Sequence, residues 1–422
     1  MANPTQIADV LLPGSRGADS VNSCSVPTVA RQAILDGNGR VHGYELMFRD
    51  GVDGRLCDEA GLESGSTPAV FETDRYSSGL QVFVRCSAET LVARQVRSLP
   101  PSRAVLLVPA DAEPSPELLA ACLDLKASGF GIALEWSEAI SAAHPLFCLA
   151  SFICVDFSQI SIVALPRIAR LLGPTSIAKM ARNLGTQEEF EQAKSAGFTL
   201  FSGDYFLRPV AGKTRTVPAN RFLNFELLRL LNHGQFDMRK IGELVQRDPA
   251  LTLRLLRLVN SPFCAVRQEV RSIESALMLV GEEVFRRVAT LAILGELNTG
   301  RPAEILHMAL LRGRLCGQAS ELCGLEFAEQ YLLGLLSLLP AMLGLPMEAL
   351  TPSLPLRAEI RDALEGAPGP DRTLLAWLEF HEHGNWSASD AVAHSSHLHA
   401  NQLMRCYADA ADWARTTLLS AG

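Results

Sequence analysis

The first half of the chain alternates short apolar runs with amphipathic stretches. The residues around Asp36-Gly37-Asn38-Gly39 read as two strands joined by a turn, which predicts a hairpin. After it, strands that alternate with helices are typical of βαβ units and a parallel sheet. This half is short for a complete eight-stranded barrel of about 250 residues, so we expect a trimmed barrel or strands hidden in polar sequence. The strand-like runs lie at 28–35, 40–48, 80–84, 104–108, 131–136, 152–157 and 199–201, and the helical patterns at 116–128, 165–172 and 186–196.

The second half carries apolar residues at helical spacing almost to the end of the chain. A basic segment with Pro and Gly, residues 208–218, precedes it and is typical of a linker. Asp248-Pro249 predicts a helix start, and Gly281 predicts a helix end. No repeat of fixed period is present, which favours a compact all-α bundle. We predict a disordered tail at 1–24, an α/β domain at 25–212 and an all-helical domain at 213–415.

Composition and charge narrow the classes of function. A chain of 422 residues, 48% hydrophobic and 20% charged, has room for two domains of roughly 100–200 residues. Its 38 basic and 46 acidic residues give a net charge of −8. This acidic balance lacks the excess of basic residues that is typical of a general nucleic-acid binder. The most apolar run, 332–347, contains Pro340 and predicts a core helix rather than a membrane span. The ten cysteines form no CxxC motif and no secretory signal is visible, so we predict a cytoplasmic protein.

The hairpin sequence VARQAILDGNGRVHGYELMFR, residues 29–49, resembles the opening of EAL-type cyclic di-GMP phosphodiesterase domains. That resemblance implies a modified TIM-like (β/α) barrel that hydrolyses a phosphodiester with two divalent cations. It also implies that Glu45 matches the first metal-binding Glu and that Arg49 matches an Arg that contacts ligand phosphate. A two-cation site needs clustered carboxylate and amide oxygens, together with a general base for water.

Most other positions of that site depart from the family pattern. Where the family has ligand or catalytic residues, this sequence has Arg85 for Asn, Leu107 for Glu, Glu135-Trp136 for Asp-Asp, Cys154 for Lys, Lys179 for Glu and Ser202 for Gln, and it keeps Asp156. Because two former ligand positions are cationic, we predict a vestigial site in which ion pairs replace the cations. In that prediction Arg85 and Lys179 pair the carboxylates of Glu45, Glu135 and Asp156. The alternative is that these residues do not converge and are ordinary surface charges.

The second half resembles an HDOD domain, and the whole arrangement resembles proteins in which an EAL domain precedes an HDOD domain. The matching segments are Asp248-Pro249-Ala250-Leu251, Asn260-Ser261 and Val280-Gly281. HD-type hydrolases require a His-Asp dipeptide, which occurs nowhere in this sequence. The histidine spacing near the end suits Zn²⁺, but exposed histidines explain it better, so we predict no metal site. These histidines are His381, His383, His394, His397 and His399.

The departures from the EAL pattern predict a catalytically inactive bacterial signalling protein rather than an enzyme, with no catalytic residue and no cofactor. The resemblance implies that it acts by contact with unknown signalling proteins in cyclic di-GMP-linked motility or biofilm formation, and a homodimer is compatible with this. One alternative is a sensor whose EAL half binds cyclic di-GMP without hydrolysis and repositions the HDOD half. An active phosphodiesterase is the remaining alternative.

Overall fold

The computed structural model describes residues 28–49, 73–137, 144–173, 177–208, 219–232, 237–261, 264 and 270–419. The predicted tail at 1–24 and the predicted domain boundary at 212/213 lie outside these residues. The ranges 25–212 and 213–415 therefore stay predictions.

The first half is a closed barrel of eight strands in sequence order. The first strand runs antiparallel to both of its neighbours, and every other pair of adjacent strands is parallel. The strands are β1 (Val29–Asp36), β2 (Val41–Phe48), β3 (Gln81–Arg85), β4 (Ala104–Val108), β5 (Gly131–Glu135), β6 (Phe152–Asp156), β7 (Ala178–Leu184) and β8 (Leu200–Gly203). The prediction of a (β/α) barrel followed by a helical domain is confirmed.

All eight strands are present, so this half is shorter than a complete barrel because its connections are short. Sequence patterning missed β7, where the polar residues Lys179, Arg182 and Asn183 interrupt the apolar run. The connection from β3 to β4 contains one five-residue helix and a short 3₁₀ turn. The helices of this half are α1 (Thr73–Ser77), α2 (Ala88–Val92), α3 (Pro116–Ala127), α4 (Leu165–Leu172) and α5 (Gln187–Ser195).

The barrel interior is filled by apolar side chains from seven of the strands. Strand residues alternate between the interior and the helix-covered outside, so every second residue belongs to the inner set. The inner cluster comprises Ile34, Phe83, Val105, Leu107, Ala133, Cys154, Met180 and Leu200. Because the centre is packed with side chains, we expect a functional site at the rim. In barrels of this type that rim is the one formed by the carboxyl ends of the strands.

In the described residues of the second half, all regular secondary structure is helical. Asp248 caps its helix by accepting from the backbone amides of Ala250 and Leu251, and Pro249 occupies the first turn, as predicted. Gly281 has a φ of +78° and breaks the long helix that contains it. The helices are α6 (Ala219–Asn232), α7 (Met238–Gln246), α8 (Pro249–Val259), α9 (Ile273–Leu297), α10 (Ala303–Ala319), α11 (Phe327–Leu336), α12 (Leu339–Leu343), α13 (Met347–Leu350), α14 (Ala358–Leu364), α15 (Thr373–Glu382), α16 (Trp386–Ser395) and α17 (Ala400–Leu419).

Buried polar contacts join the barrel to the helical half. The Arg31 guanidinium of β1 donates to Glu304 of α10 at 2.8 Å, and the Tyr44 hydroxyl donates to the same carboxylate at 2.7 Å. The side chains of Arg31 and Glu304 are 4% and 3% exposed. His381 of α15 donates from Nε2 to the carbonyl oxygen of Val29 at 3.0 Å. The two halves therefore share one continuous packed interface.

The second half contains strongly apolar helices, among them α11 and α12. Within the described ranges, no single helix has the length and hydropathy to cross a bilayer. The segments Phe327–Leu343 and Met347–Ser353 meet those requirements only as a pair, and they are bent by 102°. Most of the apolar side chains of α11 and α12 are buried within the protein.

Candidate functional site

The charged residues of the barrel rim arise directly from strand alternation. A residue two positions beyond an inward-facing apolar residue faces inward again, one layer nearer the carboxyl end. Arg85 follows Phe83 in this way, Glu135 follows Ala133, Asp156 follows Cys154 and Arg182 follows Met180. Glu45 of β2 lies opposite Phe83 of β3 in the sheet register. The strands therefore place a ring of charges directly above the apolar interior.

A chain of ion pairs runs through this ring. Arg182 binds both carboxylate oxygens of Glu45, one from Nε at 3.0 Å and the other from Nη2. Its Nη1 donates to Glu135 Oε1 at 3.0 Å, and Arg85 donates to Glu135 Oε2 at 2.9 Å. Glu45 and Arg182 are buried, whereas the Arg85 guanidinium is largely exposed. The order is thus Glu45–Arg182–Glu135–Arg85, from the interior to solvent.

Electrostatics keep the Arg182 guanidinium charged. Burial acts to lower the pKa of Arg182, but the neighbouring Glu45 and Glu135 carboxylates outweigh burial and raise it above its ordinary value. Beneath them, burial raises the pKa of the Cys154 thiol to about 12, so the thiol is neutral at pH 7. Cys154 therefore supplies neither a cationic amine nor a thiolate at the position where the EAL resemblance has a Lys.

The predicted partnership of Lys179 is wrong in its geometry. The Lys179 ammonium donates to the carbonyl oxygen of Gly173 at 2.8 Å and lies outside the ring of charges. Lys179 pairs with Ile153 near the start of β6, whereas Arg182 pairs with Asp156 at its end. Arg182 instead supplies the cation, and the sequence analysis missed it because β7 was not identified. Its two-residue offset from the inward-facing Met180 is the signal that could have found it.

Asp156 stands apart from the ion-pair chain. Its carboxylate accepts from the backbone and hydroxyl of Ser158 at 2.9 and 2.6 Å, and from Asn183 Nδ2 at 3.0 Å. Of the six predicted residues, the structure joins Glu45, Arg85 and Glu135 through Arg182 into one chain of ion pairs and places Asp156 near Arg85 and Glu135 on the rim. Arg49, just beyond β2, is paired across the interface with Asp390 of α16.

The residues present do not fit the two cations that the EAL resemblance implies. Both oxygens of Glu45 and both oxygens of Glu135 already accept from guanidinium groups, and Leu107 offers no ligand atom. A divalent cation at this position would meet the positive charge of Arg182 at close range. In the described part of the chain, no group of three or more His, Cys, Asp or Glu side chains could hold a metal ion.

The C-terminal histidines have separate surroundings. The expectation of exposed histidines is wrong for His381, which is buried against Val29. His383 donates from Nε2 to Asp204 at 2.7 Å and from Nδ1 to the Glu379 carbonyl at 2.6 Å. Because both ring nitrogens of His383 face acceptors, its imidazole is held as a cation. The Asp204 bond raises the pKa of His383 to about 9. The other three, His394, His397 and His399, are exposed.

An open cleft of about 370 Å³ borders the ion-pair chain. Its volume lies within the roughly 300–1,000 Å³ that is typical of small-molecule sites. One guanidinium, one indole and several carboxylates meet in it. The lining includes Arg85, Asp111, Glu135, Trp136, Asp156 and Gln159. This combination can bind a phosphate, stack against a ring and accept hydrogen bonds from a base edge.

Comparison with known proteins gives a family match for the second half and relatives that cover most of the chain. The HDOD domain family matches residues 218–341, which confirms the predicted HDOD domain. Cyclic di-GMP phosphodiesterase CdgJ of Vibrio cholerae is 27% identical over 392 residues, which cover 89% of each chain. The uncharacterized protein YuxH of Bacillus subtilis is 25% identical over 405 residues, covering 92% of this chain and 98% of YuxH.

Solved structures of EAL proteins also match the chain. The Klebsiella pneumoniae BlrP1 complex with calcium and cyclic di-GMP is 17% identical over 44% of this chain, with a TM-score of 0.33. That match spans 56% of BlrP1, a little over half its length. An EAL domain protein from Listeria monocytogenes is 10% identical over 45% of this chain and 94% of its own, also with a TM-score of 0.33.

One prediction from the sequence is contradicted by these comparisons. We predicted that the chain is not an enzyme, from its departures from the EAL pattern. CdgJ, which matches across both halves, is named as a cyclic di-GMP phosphodiesterase. The altered positions are therefore not a sufficient reason to assign catalytic inactivity, and the prediction is not retained.

Proposed function

This chain is a two-domain EAL–HDOD protein, and on that premise we propose that it binds cyclic di-GMP at the carboxyl-terminal rim of its barrel. The identity of the ligand is supported by CdgJ, whose name assigns it this dinucleotide as substrate. In this proposal the barrel receives the nucleotide and the HDOD half carries the signal onward. The protein is then a regulator in cyclic di-GMP-linked behaviour.

The observation that carries the proposal is the cleft bounded by Arg85 and Trp136. Cyclic di-GMP has two phosphodiester groups and two guanines. The exposed Arg85 guanidinium can donate to a phosphodiester oxygen, and the Trp136 indole offers a face for a guanine ring. The Asp111 and Asp156 carboxylates can accept from the N1–H and amino group of a guanine edge. The cleft thus supplies one cation for a phosphodiester, one ring face for stacking and acceptors for a guanine edge.

Titration calorimetry of the full chain with cyclic di-GMP tests this proposal. Arg85→Ala is expected to weaken binding by about tenfold or more, because a hydrogen bond to a charged group contributes about 1.5–3 kcal/mol. Arg97→Ala is the matched control. Arg97 is 57% exposed and paired with Asp124 on the barrel side, whereas Arg85 is 58% exposed and paired with Glu135. Trp136→Ala is expected to weaken binding through lost stacking.

The proposal fails if the wild-type chain does not bind cyclic di-GMP, or if Arg85→Ala and Arg97→Ala bind it equally well. Chromatography of the same incubations with Mn²⁺ measures the linear dinucleotide product. The two measurements thereby distinguish binding from hydrolysis in the same protein preparation. Glu45→Gln in that assay tests whether any turnover depends on the carboxylate that Arg182 holds.

Output through protein contact is the second part of the proposal. Met278 and Leu279, next to the break at Gly281 in α9, are large apolar side chains that are well exposed on the HDOD half. Chemical crosslinking in bacterial extract should lose specific partners in Met278→Glu/Leu279→Glu. It should keep them in Leu123→Glu, which changes an exposed leucine on the barrel helix α3. Identical crosslinked sets in all three proteins would contradict this part.

A further inference from the structure

A carboxylate of the HDOD half forms an ion pair with an arginine of the barrel rim. Arg49 lies one residue beyond β2, the strand that carries Glu45 into the ring of charges. Its Nη1 donates to Asp390 Oδ1 at 2.9 Å, and its Nη2 pairs with Asp390 Oδ2. Asp390 lies in α16, 341 residues further along the chain. Two parallel bonds of this kind are the geometry by which an arginine binds either a carboxylate or a phosphate.

The corner between α15 and α16 holds Asp390 in this place. His383, at the end of α15, is bonded to Asp204, which follows β8 directly on the same rim. A side chain at Gly384 would contact the sulfur of Met47, two residues before Arg49. Asn385 caps α16 by accepting from the amide of Ala388 at 3.2 Å. The corner of residues 383–390 therefore rests on the rim beside β2 and β8.

Burial distinguishes this contact from the permanent one at the domain interface. The Arg31 and Glu304 side chains are almost fully buried, so the ion pair cannot exchange for water. The Arg49 and Asp390 side chains are 35% and 41% exposed. Exposed pairs are weak, because water competes for both charges. The corner is therefore attached to the rim in part by a contact that a second anion can displace, whereas burial shields the Arg31–Glu304 pair from such exchange.

We propose that Asp390 is an internal competitor for Arg49, so that a ligand phosphate and the α15–α16 corner bind this arginine in turn. The inference rests on the proposed function, because it takes the ligand at the rim to be cyclic di-GMP, with one phosphodiester at Arg85 in the cleft and the other at Arg49, which lies outside the cleft lining. When the phosphate binds Arg49, Asp390 is released, and α16 loses one of its attachments to the barrel. Ligand occupancy at the rim is thereby converted into a change on the HDOD half.

Calorimetry on the full chain tests the competition. Asp390→Asn removes the competing charge and should tighten cyclic di-GMP binding by about two- to fivefold, the equivalent of one exposed ion pair. In the Arg49→Ala background the same substitution should have no effect, because the arginine for which the two anions compete is gone. Asp412→Asn is the matched control. Asp412 lies in α17, where its side chain is 46% exposed and paired with Arg415.

Hydrogen exchange supplies a second measurement that does not depend on affinity. Saturating cyclic di-GMP should increase amide exchange in α16 of the wild type and leave the exchange of α10 unchanged. If the wild type binds and Arg85→Ala weakens binding, but Asp390→Asn behaves like Asp412→Asn, the inference is overturned and the proposed function stands. Slower or unchanged exchange in α16 on binding also overturns it. If no variant and no wild-type sample binds cyclic di-GMP, both proposals fall together.

Discussion

Glu304→Gln removes one charge from the buried contact that joins the barrel to the HDOD half. The Glu304 carboxylate accepts from Arg31 at 2.8 Å and from Tyr44 at 2.7 Å. After the substitution, the Arg31 guanidinium keeps its bond to the carbonyl oxygen of Tyr76 but loses its anionic partner. Since both side chains are almost fully buried, water cannot take the place of the carboxylate.

The expected loss of stability in Glu304→Gln follows from the burial of the ion pair. Breaking a buried ion pair by removing one partner costs about 3–5 kcal/mol, because an uncompensated charge is left in the interior. Loss of an exposed pair costs about 0.2–1 kcal/mol. The Gln side chain keeps one acceptor oxygen for Arg31 or Tyr44, so we expect the lower part of the buried range, about 3 kcal/mol.

Urea unfolding followed by far-ultraviolet circular dichroism measures the free energy of unfolding. Glu282→Gln is the control, because Glu282 pairs with Arg286 on the surface of α9. The triple variant Arg31→Met/Tyr44→Phe/Glu304→Leu should be more stable than Glu304→Gln. Replacing a whole buried pair by apolar groups is often neutral or stabilising.

Two results would refute this reasoning. If Glu304→Gln loses no more stability than Glu282→Gln, the Arg31 charge is not isolated by burial. If the triple variant is as unstable as the single one, the loss comes from packing rather than from an unpaired charge. The first outcome would also remove the contrast on which the displaceable Arg49–Asp390 contact depends.

Further predictions concern protonation and the ring of charges. Burial lowers the pKa of His381 from 6.5 to about 4, so the unfolded chain takes up a proton first as pH falls. The contribution of His381 to the free energy of unfolding should therefore decrease as the pH falls from 6.5 to 4, by up to about 3 kcal/mol. Thermal unfolding should show this decrease in the wild type but not in His381→Gln. The pH dependence expected from His383 has the opposite sign, because its bond to Asp204 raises its pKa to about 9. The contribution of His383 to stability is therefore complete below pH 6.5 and is lost as the pH rises through 9. His383→Gln should flatten that alkaline decline, and an unchanged profile would contradict the assignment. Arg182→Met should cost about 3–5 kcal/mol at pH 7 by leaving Glu45 unpaired, and Glu45→Gln/Arg182→Met should recover part of the loss in urea unfolding; equal stability of Arg182→Met and wild type would contradict the ion-pair chain.

Local patterning was enough for most of the barrel and for the helical half. Alternating apolar residues identified β3 to β6 and β8, and the turn at Asp36–Gly39 identified the β1–β2 hairpin. The capped start at Asp248 and the break at Gly281 are also local signals, because a side-chain cap and a positive φ depend on neighbouring residues alone. β7 was missed because its inward-facing Arg182 is polar, which hides the strand from a hydrophobic pattern.

The sequence by itself determined most of the element types and the two halves, and it showed where the chain departs from the EAL pattern. Only the tertiary structure decided which charges meet. Lys179 and Arg182 are three residues apart, yet strand alternation turns one toward Gly173 and the other toward Glu45. Arg49 and Asp390 are separated by 341 residues, and their pairing depends on how the HDOD half is seated on the barrel. The physical reason is that local structure follows from adjacent residues, whereas ion pairs follow from closure of the barrel and packing of one half against the other.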